Sequence, residues 1–108
     1  MPIYNKLVRD LIPAIIEKSG SKPITKILSD EDYIKELRKK SYEELEEYMN
    51  TTNNDDSLEE LADILELLHA LAEAHGSSIE EVEKIRVKKA LDRGGFNDKI
   101  FLIEVEDE

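Results

Sequence analysis

From Ser57 to His75 the chain carries apolar residues around most of a helical circumference. At about 100° per residue, Leu58, Leu61, Leu65, Leu68 and Ala72 fall on one face. Ile64, Leu67, Ala70, Leu71 and Ala74 fall on a second. Only a stripe through Glu59, Glu66 and Glu73 is plainly solvated. A helix apolar on most sides belongs inside a bundle, so its neighbours must be helices able to cover it. Two acids interrupt the pattern: Glu60 and Asp63 lie in line with Leu67 and Leu71, off the solvated stripe. Ionised carboxylates that face a core are costly unless paired or bound to a cation.

The preceding segment repeats the anomaly. Ser29 followed by Asp32 has capping spacing, and a helix is expected from about residue 30 to Met49. Ile34, Leu37, Leu45 and Tyr48 recur at helical intervals. Glu44 falls inside that stripe and Glu47 on its edge near Lys40, whereas Glu43 and Glu46 point away. The polar run from Asn50 to Asp56 lets the chain reverse. Antiparallel packing of the two helices then gathers Glu44, Glu47, Glu60 and Asp63. Four such groups at close range repel one another unless a cation sits among them. Hard oxygen donors suit Mg²⁺, with Mn²⁺ as the alternative. Each acid also has a plainer reading. Glu60 has the spacing of a capping box on Ser57, Asp63 complements the helix dipole, and Lys40 can neutralise Glu44 or Glu47. Taken singly, the plain readings are favoured; taken jointly, two inward acids on each of two consecutive helices favour a metal site.

The remaining chain fills in a helical domain. Asp10 is the expected cap of a short helix that contains Pro13 and ends at Ser19-Gly20. Ser78-Ile79-Glu80-Glu81 opens a fourth helix to about Asp92, and Gly94-Gly95 breaks it. Residues 24–28 and 99–105 read as strands that pair with each other. The expected architecture is therefore a compact, all-α helical bundle with a short two-stranded β element, and residues 1–108 form one domain.

Composition narrows the function. The hydrophobic fraction of 40% argues against disorder, although 38% of residues are charged. A formal net charge of −11 disfavours binding to a nucleic acid polymer. No cysteine is present, and two histidines, His69 and His75, are a poor basis for zinc. No apolar stretch is long enough to span a bilayer, and residues 1–6 lack the core of a signal peptide, so a cytoplasmic location is expected. Cations gather at Lys84, Arg86, Lys88, Lys89 and Arg93, with a smaller group at Lys6 and Arg9. Beside a metal site, Lys6, Arg9, Lys88, Lys89 and Arg93 are candidates to hold phosphates. Next to helix ends they can equally serve as dipole complements. A core this small makes a homo-oligomer a reasonable expectation.

These residues resemble a known family. Glu43-Glu44-x-x-Glu47 followed by Glu60-x-x-Asp63 is similar to the acid signature of the MazG-like all-α nucleoside triphosphate pyrophosphohydrolases. Tyr4 to Asp10, Glu59 to Asp63 and Arg93-Gly94-Gly95-Phe96 resemble a compact subgroup described as phosphoribosyl-ATP pyrophosphohydrolase-like. The resemblance spans nearly the whole chain. It implies Mg²⁺-dependent cleavage between the α- and β-phosphates of a nucleoside triphosphate, giving the monophosphate and pyrophosphate. It places the metal ligands on Glu44, Glu47, Glu60 and Asp63. It also implies dimers or tetramers. Glu43 and Glu47 are the candidates to accept the proton of an attacking water. The substrate expected is a non-standard nucleotide removed in house-cleaning. The alternatives are phosphoribosyl-ATP hydrolysis in histidine biosynthesis and a non-catalytic helical interaction module.

Overall fold

A computed structural model describes residues 2–107. Four helices follow one another: α1 (Ile12–Lys18), α2 (Asp30–Met49), α3 (Asn54–Ala74) and α4 (Ile79–Arg93). Local chemistry accounts for most of their ends. The Ser29 hydroxyl accepts the Asp32 N–H, and three acids occupy the first turn of α2, where the helix dipole favours negative charge. Ser78 caps α4 in the same way by accepting the Glu81 N–H. Gly20, Gly76 and Gly94 take left-handed φ angles just beyond α1, α3 and α4.

Two expected starts move. α1 begins at Ile12 rather than after Asp10, with Leu11 in the cap position and no side-chain cap bond. Pro13 near its start needs no N–H partner there. α3 begins at Asn54 because Asn53 caps it, accepting the Asp56 N–H at 2.8 Å. Ser57 therefore lies inside the helix, where its hydroxyl bonds to the Asn53 carbonyl and pairs with Thr51 Oγ1. Glu60 is thus not the acid of a capping box.

α2 and α3 form a hairpin across the four residues 50–53 and make the main packing contact of the molecule. Leu37 and Leu67, which lie almost equally far from the loop, are buried, and so is Ala72 of the first face of α3. Ile64, Ala70, Leu71 and Ala74 are half-buried, so the second apolar face of α3 is the one that meets α2. Ala72 apart, the first face stays open: Leu58, Leu61, Leu65 and Leu68 remain exposed. α4 packs on α3 alone, and α1 packs on no other helix among the described residues.

Compactness and the β element are corrected. No strand is present among the described residues; 24–28 and 99–105 carry no regular secondary structure. An isolated two-stranded ribbon is marginal in water, and Lys99 opens the second segment in a left-handed conformation (φ 59°) that interrupts an extended run. The chain measures 67 × 36 × 24 Å, with a radius of gyration of 18.8 Å. A compact domain of this length has a radius of roughly 13 Å. No helix of the described residues is long and apolar enough to cross a membrane.

Candidate metal centre

The α2–α3 hairpin brings Glu44, Glu47 and Glu60 together, with one carboxylate oxygen of each lying within 4.8 Å of the others. Glu44 and Glu60 sit at almost equal distances from the loop, so antiparallel packing sets them opposite one another. Three residues on, Glu47 shares the helix face of Glu44. Glu44 is 8% exposed, Glu60 is half-buried and Glu47 is open to solvent. Glu44 is buried because it falls in the stripe of Leu37, as its place on the helical wheel requires.

The site is electrically unfinished. Glu44 Oε2 and Glu60 Oε2 are buried with no hydrogen-bond partner. Two facing carboxylates have no donors to offer each other while both are ionised. Only a proton or a cation can satisfy these oxygens. Without a cation the proton is favoured: burial, then the Glu60 and Glu47 side chains, pushes the Glu44 carboxyl up to about 7. Burial also leads in raising Glu60, with the Glu47 and Asp63 charges adding to the rise and the Glu44 hydrogen bond opposing it. Like charges and desolvation act together here, as they do in any shared carboxylate site.

The donor set fits a hard divalent cation. Oxygens ligating one Mg²⁺ at about 2.1 Å can stand at most ~4.2 Å apart. A spacing within 4.8 Å needs only a small side-chain adjustment to reach that range. All three donors are carboxylate oxygens, the type preferred by Mg²⁺ and Mn²⁺.

The fourth expected acid is differently engaged. Arg9 Nη2 donates to Asp63 Oδ1 at 2.7 Å, tying the N-terminal segment to α3. Sequence reasoning assigned these two residues separate roles, phosphate and metal, and could not foresee their pairing across 54 positions. Glu43 is half-exposed and lies 3.8 Å from Lys40 Nζ; Lys40 is equally far from Glu44 Oε1. These are ion pairs too long to be hydrogen bonds. The neutralising role foreseen for Lys40 is thus present at Glu44, yet it leaves Oε2 orphaned.

The cations of α4 lie on a helix that packs on α3. Lys84 and Arg86 pair with Glu81 and Glu83 on their own helix. Lys88, Lys89 and Arg93 are exposed, make no ion pair among the described residues, and lie on a helix that does not touch α2. Lys6 lies 5.5 Å from the centroid of the Tyr4 ring. Sequence reasoning missed Lys39, which lines a cleft with Lys6 and Lys40. Its position one residue from Lys40, on the side of α2 turned to the N-terminal segment, becomes visible only once that segment is placed.

Comparison with family models, with curated proteins and with solved structures finds no match to this chain.

Proposed function

We propose that the protein is a divalent-cation-dependent nucleoside triphosphate pyrophosphohydrolase. The observation that supports this reading is the cluster of three carboxylates with two buried, unpartnered oxygens. Its finer content comes from the resemblance of the acid and N-terminal motifs to the MazG-like superfamily. Glu44, Glu47 and Glu60 would hold Mg²⁺ or Mn²⁺, and Asp63 would join them after exchanging its Arg9 partner. The bound cation supplies charge neutralisation at the phosphates and lowers the pKa of a water. Glu47, exposed at the edge of the cluster, or Glu43 would accept that water's proton. Arg9, once released from Asp63, offers a forked donor to a phosphate. The cleaved bond would lie between the α- and β-phosphates, with a non-standard nucleotide as the substrate. Lys88, Lys89 and Arg93 of α4, which packs on α3, would add further cations for the phosphates.

Release of pyrophosphate from a panel of nucleoside triphosphates and phosphoribosyl-ATP, with Mg²⁺ present, tests the reading. Turnover of at least one nucleotide, lost in Glu60→Gln, is the expected result. Preference for phosphoribosyl-ATP would move the assignment to histidine biosynthesis. A folded parent that binds Mn²⁺ but cleaves nothing would leave a non-catalytic module.

A further inference from the structure

The N-terminal segment does more than tether itself through Arg9. Residues 4–7 form one wall of a cleft of about 110 Å³, and Glu36, Lys39, Lys40 and Glu43 of α2 form the other. Asn5 adopts a left-handed φ of 44°, which Asn tolerates better than most residues, and this turn brings Tyr4 and Lys6 to the same cleft. Lys6 and Lys39 have no carboxylate within ion-pair distance among the described residues. Three lysines against two glutamates make the cleft locally positive in a chain whose net charge is −11. Lys40 also reaches Glu43 and Glu44, so the cleft and the acid cluster share a wall.

We propose that this cleft is a phosphate subsite, in which Lys6, Lys39 and Lys40 hold one phosphate group of a polyphosphate chain. The proposal rests on the pyrophosphohydrolase reading and adds to it where the end of the polyphosphate remote from the acids is gripped. Size agrees with the ligand: a cleft of about 110 Å³, below the roughly 300 to 1,000 Å³ of pockets that enclose whole small molecules, has room for a phosphate group. Charge type agrees, because lysine ammonium groups act on phosphate as point donors without requiring a planar partner. The Lys6 ammonium is also held near the cleft by the Tyr4 ring, which limits the freedom it loses on binding.

The test is calorimetric binding of inorganic tripolyphosphate, and separately of ATP, in metal-free buffer at low ionic strength. The double variant Lys6→Gln/Lys39→Gln should bind both ligands about tenfold more weakly than the parent. Both side chains are exposed, so an unchanged helical circular dichroism spectrum is expected. Glu60→Gln should bind tripolyphosphate at least as well as the parent, because it removes negative charge near the cleft without touching the lysines. A parent that does not bind tripolyphosphate, or a double variant that binds as tightly as the parent, overturns the subsite. A loss confined to ATP overturns it as well, since that would assign the lysines to the base or sugar. Direct Mn²⁺ titration of parent and Glu60→Gln reports on the acid cluster alone, so failure of the metal reading and failure of the subsite are distinguishable.

Discussion

Glu44 is a carboxyl that α2–α3 packing removes from water beside two others of its kind. Its pKa of about 7 in the fold lies above its ordinary 4.5. The folded protein therefore binds the proton more tightly than the unfolded chain. This contribution to stability is complete below about pH 4.5 and is lost as pH rises toward 7. Glu44→Gln keeps the shape without the charge. In metal-free buffer its melting temperature should exceed the parent's by a margin that widens between pH 5 and pH 7.5. A margin that stays constant across that range would mean the carboxyl titrates normally. Mg²⁺ or Mn²⁺ should raise the parent's melting temperature by mass action and do so less for the variant. Asp63→Asn and Glu66→Gln make a matched pair on one helix. Asp63→Asn should abolish most turnover, whereas Glu66→Gln, on the solvated stripe, should do almost nothing. Equal loss of activity in both would reduce Asp63 to a helix-end charge. Its pair with Arg9 is 58% and 40% exposed on the two sides, so Arg9→Gln should change stability by less than about 1 kcal/mol.

At the scale of elements, the decisive piece is the short α2–α3 connection. Asn53 caps α3 twice over, accepting the Asp56 N–H and donating from Nδ2 to the Asp56 carboxylate at 2.9 Å. Thr51 and Ser57 exchange a hydroxyl contact at 2.7 Å inside the same turn. The cap starts α3 four residues earlier than a cap at Ser57 would, and it closes the hairpin in which Glu60 meets Glu44. Asn53→Ala should cost about 1 kcal/mol and also weaken Mn²⁺ binding. Ser78→Ala removes a comparable cap on α4 and should lower thermal stability without altering Mn²⁺ affinity, which isothermal titration can read directly. Equal metal affinities for the two variants would show that the loop does not set the site.

For the molecule as a whole, the exposed surface is 10224 Å². A compact monomer of 12.4 kDa exposes roughly 6,100 Å². The excess is larger than one partner's share of an obligate interface, which totals roughly 2,000 to more than 5,000 Å² over both partners. Apolar residues contribute to it: the Leu58, Leu61, Leu65 and Leu68 ridge of α3 is uncovered, and Ile100, Phe101 and Ile103 near the C-terminus are more than four-fifths exposed. We therefore expect a homodimer or homotetramer. Light scattering coupled to size exclusion should give two or four times 12.4 kDa. Leu65→Lys, in the centre of the ridge, should shift the population toward monomer. A monodisperse monomer for the parent would remove this expectation.

Helix content, the Ser29 and Ser78 caps, the glycine stops and the two-faced character of α3 were all legible locally, because they depend on neighbours three or four residues away. Helical phase alone put Glu44 and Glu60 in line with apolar residues and off the solvated stripe. What the residues could not decide by themselves was which apolar face of α3 would find α2 and which would stay bare. Both faces are rich in leucine and alanine, and composition within one helix does not name the face that a second helix will cover. The β pairing read for 24–28 and 99–105 failed for a related reason: alternation marks a segment able to pair but does not supply the partner edge. Arg9 on Asp63 and the Lys6–Lys39–Lys40 cleft likewise required the N-terminal segment to be laid across the hairpin. Periodicity within one element cannot encode contacts between residues this far apart in sequence. They depend on where the tertiary fold sends the chain.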